Sequence, residues 1–418
     1  MMQLMFEKGE GQMNVKKILF ISDHGDPLAK LGGEQAGGQN NYVKQLATYL
    51  ADRGLAIDVV THWSDENTPQ IEAFGKSCRV IRIAAGRKGF VPKAEIADLL
   101  DDFYQEMDGL LHLEDYDIIH SHYWMSGLLG LSVKAAYGLP LVHTSHSLGV
   151  AKAKATGVKE KKRIGAERKI LRKADAVIAT TPTEKKIIKK FAGSKPNVAV
   201  IPIGVARTFE EVKYRKPPVD ARFVYAGRFT ETKGLFTLLE AFRQFLKQDL
   251  SAELILAGGD EHAINLNTGH PVLPVLCEAV EGIEDSVTFI GPTAQEELAV
   301  LFSKATAVIV PSYYESFGMV AAEAQGCGTP VIASEVGGLQ DVVKDEKTGL
   351  LVPPENPKAL SEAMTRLAEE RRFTEKLGRA AMKREARLYT WPLIARTVQH
   401  LYEVIADGEN PPSVSDGS

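Results

Sequence analysis

Cysteine is scarce in this chain: Cys78, Cys277 and Cys327 are the only three among 418 residues. They are too few and too scattered for a disulfide framework or a thiolate metal site. Long apolar runs are missing too, and none approaches the ~18–20 residues a helix needs to span a bilayer. The amino end carries Glu7, Lys8 and Glu10 with no apolar stretch, which excludes a secretory signal there and points to the cytoplasm. Translation can begin at Met1 or Met13. No GxGxxG follows the first strand candidate and no acidic residue closes the second, so a nicotinamide cofactor is disfavoured. Net charge is small as well, at −4.

What is present is ordinary in amount and uneven in distribution. The hydrophobic fraction of 44% and charged fraction of 25% describe a globular chain. Its length exceeds the ~250–300 residues at which single cores stop growing, so two domains are expected. Residues 1–149 carry 13 Lys+Arg against 19 Asp+Glu, residues 150–195 carry 15 against 4, and residues 196–418 carry 22 against 31. A near-neutral protein therefore contains one block with a charge of +11, and such a block suits an anionic partner. No aromatic residue interleaves the charges from Lys152 to Lys190, which argues against nucleic acid.

Continuous apolar runs at 17–22, 55–62, 80–83, 117–120, 139–144 and 176–180 read as strands buried on both faces, with helical segments between them. The rhythm restarts at 222–227 and continues through 253–258, 287–291, 307–311, 331–334 and 349–352. Alternation of this kind predicts parallel sheets with right-handed crossovers, here two doubly wound α/β domains facing a cleft. The expected units are an acceptor-side domain over 13–203 and a donor-side domain over 221–390. Ile203 to Asp220 is the candidate linker, and a last helix over 391–407 packs back on the first domain. Residues 1–12 and 408–418 read as flexible ends.

Glycines cluster before the first helix, in Gly32-Gly33 and Ala36-Gly37-Gly38-Gln39, where backbone N–H groups can approach an anion or simply form a βα turn. Arg228 and Lys233, in GRFTETKG, follow the first strand of the second series, at the strand end where doubly wound folds bind ligands. Two cations there can neutralise a diphosphate, although such residues on a βα loop are often only solvated. PSYYESFGMVAAEAQGCGTP, residues 311–330, is the most informative stretch. Glu315 precedes a helix start at Phe317, Gly318, Met319 and Val320, and Glu323 follows in the second turn. Two carboxylates bracketing an N–H cluster can hold a sugar hydroxyl, a phosphate and a ribose in order. His146 lies at the carboxyl end of a first-domain strand. His120, His122 and His143 nearby show no metal-ligand spacing.

Together these motifs resemble the retaining nucleotide-sugar glycosyltransferases of the sucrose-synthase and sucrose-phosphate-synthase group, which have the GT-B fold of two Rossmann-like domains. The resemblance covers Val15 to Ala406. It implies that Arg228 and Lys233 bind the donor diphosphate, Glu323 the ribose, and Glu315 the transferred sugar. Phe317, Gly318, Met319 and Val320 would fix sugar and phosphate, Gly38 would approach from the other domain, and His146 would contact the sugar near the reacting carbon. No metal or other cofactor is implied.

Within the group, HSLGVAK (146–152), FVPK (90–93) and RIGAER (163–168) look most like sucrose-phosphate synthases. The counterparts of Lys93, Lys152 and Arg163 there surround fructose 6-phosphate, with Gly37, Gln39, Tyr123 and Ser147 nearby. The expectation is glucose transfer from UDP-glucose to fructose 6-phosphate, giving sucrose 6-phosphate. ESFGMVAAEAQGCGTPV and Gly337-Gly338-Leu339 look at least as much like the family that glycosylates inositol phosphate. The alternatives are thus inositol phosphate, a membrane lipid met through the basic block, or a non-catalytic nucleotide-sugar sensor.

Overall fold

A computed structural model describes residues 15–29, 37–86, 88–248, 250–259 and 272–408, with the side chains of residues 93, 94, 272 and 273 also outside the description. Gly32-Gly33 and Ala36 of the glycine loop, residues 1–12 and the tail from 409 fall outside it.

Two sheets organise the chain. The first holds β1 (Lys17–Ile21), β2 (Ala56–His62), β3 (Ile71–Phe74), β4 (Cys78–Ile83), β5 (Ile118–His122), β6 (Leu141–Thr144), β7 (Ala176–Ala179) and β8 (Val198–Val200). The second holds β9 (Ala221–Gly227), β10 (Ala252–Gly258), β11 (Val287–Gly291), β12 (Ala307–Val310), β13 (Val331–Ser334) and β14 (Gly349–Val352). Their orders are β3-β4-β2-β1-β5-β6-β7-β8 and β11-β10-β9-β12-β13-β14. Every pairing is parallel except β3 with β4. This is the two-domain, doubly wound architecture expected from the apolar runs. In each sheet the order reverses beside its first strand, at β2-β1-β5 and at β10-β9-β12, which creates a crevice at the carboxyl ends.

The strands form because their residues are buried on both faces: β6, β7, β12 and β13 are buried throughout. Several helices are amphipathic, and some carry a side-chain cap. Helix Gly38–Asp52 buries Tyr42, Val43, Leu46, Ala47 and Leu50 on one stripe. Helix Pro182–Ala192 has Thr181 accepting from the Glu184 N–H at 3.1 Å, with proline in its first turn.

The first part of the stretch expected to be a linker, residues 203–209, is packed, and residues 211–220 are exposed or half-buried. One continuous apolar cluster runs from Ile18 and Leu46 through Ile203, Val205 and Phe209 to Val308 and Ala322. Gly204 lies so close to the Trp391 ring that an added Cβ would meet Cδ2 at 2.5 Å. Helix Trp391–Ala406 returns to the first sheet, where Tyr402 Oη lies 2.6 Å from His120 Nδ1 and Arg53 Nε donates to Gln399 Oε1 at 2.5 Å.

Candidate functional site

The second sheet supplies the denser chemistry. β9 ends at Gly227, and the following loop makes a 3₁₀ turn over Glu231–Lys233. Lys233 Nζ donates to Glu315 Oε2 at 2.5 Å, joining the loops after β9 and β12. Arg228 is exposed at the same strand end, and its carbonyl accepts from Tyr225 Oη at 2.8 Å. Burial, with the Glu315 charge beside it, pushes the Tyr225 phenol well up, so it stays a neutral donor.

The Glu315 loop is clamped from behind. Gly338 N–H donates to the Glu315 carbonyl at 3.0 Å. Gly337 sits at φ +45°, and a Cβ there would approach that carbonyl to 2.0 Å. Only glycine fits. Gly318, in the left-handed region at φ +101°, then starts helix Met319–Gly326. The amides of Met319, Val320 and Ala321 have no carbonyl one turn back within the helix, leaving them as donors toward the strand ends. Phe317 itself is buried against Tyr389. Glu323 lies in the second turn, 7% exposed, and burial pushes its carboxyl up to about 7.

On the first sheet the candidates gather at the ends of β1, β5 and β6. Gly37 and Gly38 open helix Gly38–Asp52 with nothing within 4 Å of an added Cβ, so space exists beside them. Gln39 Nε2 donates to Ser22 Oγ at 3.1 Å and to the His122 carbonyl at 3.3 Å. His146 is held at φ +55° and Tyr123 at φ +78°. Positive φ on bulky residues at strand ends is strain that the surroundings must impose. His146 Nε2 lies 3.1 Å from His122 Nδ1, and its ring meets the edge of Tyr42. Burial holds His120 and His122 well below the ordinary imidazole range and His143 near about 3, so all three are neutral.

Three cations of the basic block, Lys152, Lys162 and Arg163, are ion-paired. Arg163 is 3% exposed. Its Nε donates to Glu167 Oε1 at 2.7 Å, and its Nη2 donates to the Ser147 carbonyl at 2.9 Å and Oγ at 3.1 Å. Its guanidinium also lies 4.9 Å from the centre of the Tyr123 ring. Lys152 Nζ donates to Glu160 Oε1 at 3.1 Å, and Lys162 to Asp98 at 2.7 Å. Lys93 opens the short helix Lys93–Ile96, and its side chain lies outside the described part of the structure.

The two sets of loops touch. Ser316 Oγ donates to the His146 carbonyl at 2.8 Å, and the Leu148 N–H donates to Tyr314 Oη at 3.2 Å. The Thr183 N–H donates to Asp341 Oδ2 at 2.8 Å farther along. Glu315 is thus fastened between Tyr314 and Ser316 to the turn that carries His146 and Ser147. Tyr314, Glu160 and Glu167 were not singled out from the sequence. Glu160 and Glu167 do stand three residues before and four after Arg163, the spacing of a helical ion-pair ladder. The partner of Tyr314 is 166 residues away and leaves no local signal. Among the described residues, no group of three or more His, Cys, Asp or Glu is placed to hold a metal ion, and no helix is long and apolar enough to cross a membrane.

Comparisons with known proteins identify the family and the fold. Residues 36–209 match the family Glycosyltransferase Family 4, and residues 206–384 match Glycosyl transferases group 1. A D-inositol 3-phosphate glycosyltransferase from Nocardioides sp. is 33% identical over 414 residues, covering 93% of this chain and 90% of the relative. A protein of the same name from Corynebacterium diphtheriae is 32% identical, covering 93% and 95%. The solved structure of sucrose-phosphate synthase from Thermosynechococcus elongatus superposes with a TM-score of 0.86 at 35% identity, covering 94% of this chain and 100% of that one. HepE from Anabaena, solved in complex with UDP and glucose, shares the fold at 19% identity and a TM-score of 0.71. The chain belongs to the GT-B glycosyltransferases, its first half of the family 4 type and its second half of group 1.

Proposed function

We propose that this glycosyltransferase moves glucose, with retention, from UDP-glucose to a phosphorylated acceptor, with fructose 6-phosphate as first candidate. The observation that carries the reading is the fastening of Glu315 to the His146–Leu148 turn through Tyr314 and Ser316. It joins the Glu315 loop to the turn whose Ser147 carbonyl accepts from Arg163, which supports reading Glu315 as the sugar-binding carboxylate and the Lys152–Arg163 cations as the acceptor end.

In this reading Arg228 and Lys233 take the donor diphosphate, Glu323 the ribose hydroxyls, and Glu315 a hydroxyl of the glucose. The amides at the start of helix Met319–Gly326 fix sugar and phosphate, with Gly38 approaching from the other side. Gly37, Gln39, Lys93, Tyr123, Ser147, Lys152 and Arg163 form the acceptor end. The bond between the anomeric carbon and the leaving phosphate oxygen breaks while the acceptor oxygen adds from the same face. The acceptor's proton passes to that departing oxygen. Arg228 and Lys233 stabilise the growing negative charge, the largest contribution expected in such a site. In the same reading His146 contacts the sugar near the reacting carbon. No step is assigned to a metal, because these cations and amides meet the charge.

A second reading keeps the donor chemistry and takes inositol phosphate as acceptor. Relatives of that name, more than 30% identical over nearly the whole chain, favour it. An acceptor screen with UDP-glucose, measuring UDP release with fructose 6-phosphate, inositol phosphate and their unphosphorylated forms, separates the two. Release with neither phosphorylated compound would defeat both.

A further inference from the structure

We propose that Glu160 is a built-in competitor at the acceptor site: its carboxylate occupies the place of the acceptor's anionic group and is displaced when that group binds. The proposal rests on the assignment of Lys152 and Arg163 to the acceptor end.

Glu160 stands at the N-cap of helix Lys161–Lys173, where short polar side chains ordinarily accept from the first-turn amides. It makes no such cap bond. Its two oxygens instead divide between the cations, with Oε1 3.1 Å from Lys152 Nζ and Oε2 3.5 Å from Arg163 Nη1. A phosphate spanning the same two nitrogens would make the same contacts. Burial would raise the Glu160 carboxyl, but the Lys152 hydrogen bond and the Arg163 charge together hold it below the ordinary range. It is an anion at neutral pH.

Arg163 cannot follow a moving partner. Its side chain is 4% exposed, clamped by Glu167, itself 2% exposed, by Ser147 and by the Tyr123 ring. Nη1 is the corner that faces Glu160. The Glu160 and Lys152 side chains are 38% and 40% exposed, so their pair is solvated and weak. The guanidinium is therefore a fixed half of the site and Glu160 a removable one. Glu160 also ends a short connector between helices Gly149–Thr156 and Lys161–Lys173. That connector begins at Gly157, φ +75°, with open space around it, and exposes Val158.

Exchange favours a phosphate. It carries about −1.5 to −2 charges at pH 7 and three acceptor oxygens, against one charge on Glu160. A neutral polyol offers no compensating charge and meets a closed ion pair. Displacing Glu160 costs every acceptor the same pair, and only an acceptor with its own anionic group re-pairs both cations.

The test uses the full chain with Glu160→Gln, Glu160→Asp and Lys152→Ala, and inorganic phosphate as the binding probe in calorimetry. With Glu160→Gln, phosphate affinity should rise about fivefold, the scale of one solvated ion pair. KM for the phosphorylated acceptor should fall by a similar factor, with kcat and KM for UDP-glucose unchanged. Glu160→Asp should restore wild-type behaviour. If Glu160→Gln binds phosphate no better while Lys152→Ala abolishes binding, Glu160 is a structural partner and the proposal is overturned. If Lys152→Ala changes neither phosphate binding nor acceptor KM, the acceptor assignment itself fails and takes the proposal with it.

Discussion

Glu323 makes donor binding depend on pH in a way that can be worked out in advance. Its carboxyl is 7% exposed, and burial sets its pKa at about 7. If it accepts the ribose hydroxyls, the bound form is the carboxylate, and a protein half-protonated at pH 7 must release that proton. The apparent Kd for UDP-glucose is then multiplied by about 11 at pH 6, about 2 at pH 7 and about 1.1 at pH 8. The tenfold loss from pH 8 to 6 corresponds to about 1.4 kcal/mol. UDP-glucose is the right probe because both its phosphates are esterified, whereas the terminal phosphate of UDP titrates near ~6. Calorimetry in buffers of different ionisation enthalpy should show about half a proton released per ligand at pH 7. Glu323→Gln should bind more weakly and with a flat profile from pH 6 to 8. A flat wild-type profile, or tighter binding on acidification, would refute the assignment of a carboxylate to the ribose.

Three further outcomes follow from other contacts. Lys233→Ala removes the cation paired with Glu315, and kcat should fall about 10²–10³-fold, the scale of losing one preorganised charge-stabilising donor; a smaller change in single-turnover rate would take Lys233 away from the leaving phosphate. Gly337→Ala forces a Cβ to 2.0 Å from the Glu315 carbonyl at φ +45°, so stability should drop by about 1–3 kcal/mol in urea titration and turnover should fall with it. Glu385 has one carboxylate oxygen buried without a partner, and burial, followed by the Glu210 charge, pushes its pKa up to about 8. A folded-state pKa above the unfolded value stabilises the fold at low pH and loses that contribution as pH rises through about 8. Melting temperature should therefore decline between pH 5 and 8, and Glu385→Gln should flatten the decline; an unchanged slope would exclude Glu385 as its source.

What could be read in advance depended on whether the physics was local. β1, β6, β7, β12 and β13 are apolar runs buried on both faces, so their existence follows from a handful of adjacent residues. β3 was missed because it is an antiparallel edge strand whose residues are exposed or half-buried, and three-residue β8 is too short to show a period. The donor end was legible for the same local reason: Glu315, the helix start and Glu323 lie within nine consecutive residues. The acceptor end was only half legible, because charge composition counts acids and bases without saying which of them meet. The block keeps its excess of cations, yet Lys162, Lys152 and Arg163 are paired in space with Asp98, Glu160 and Glu167. An anion site built from compensated cations differs from one built from bare ones. Its affinity is set by what the incoming group must displace, and its selectivity by whether that group can replace the lost carboxylate. The chemistry at this end therefore resides in the Glu160 pairing as much as in the number of lysines and arginines around it.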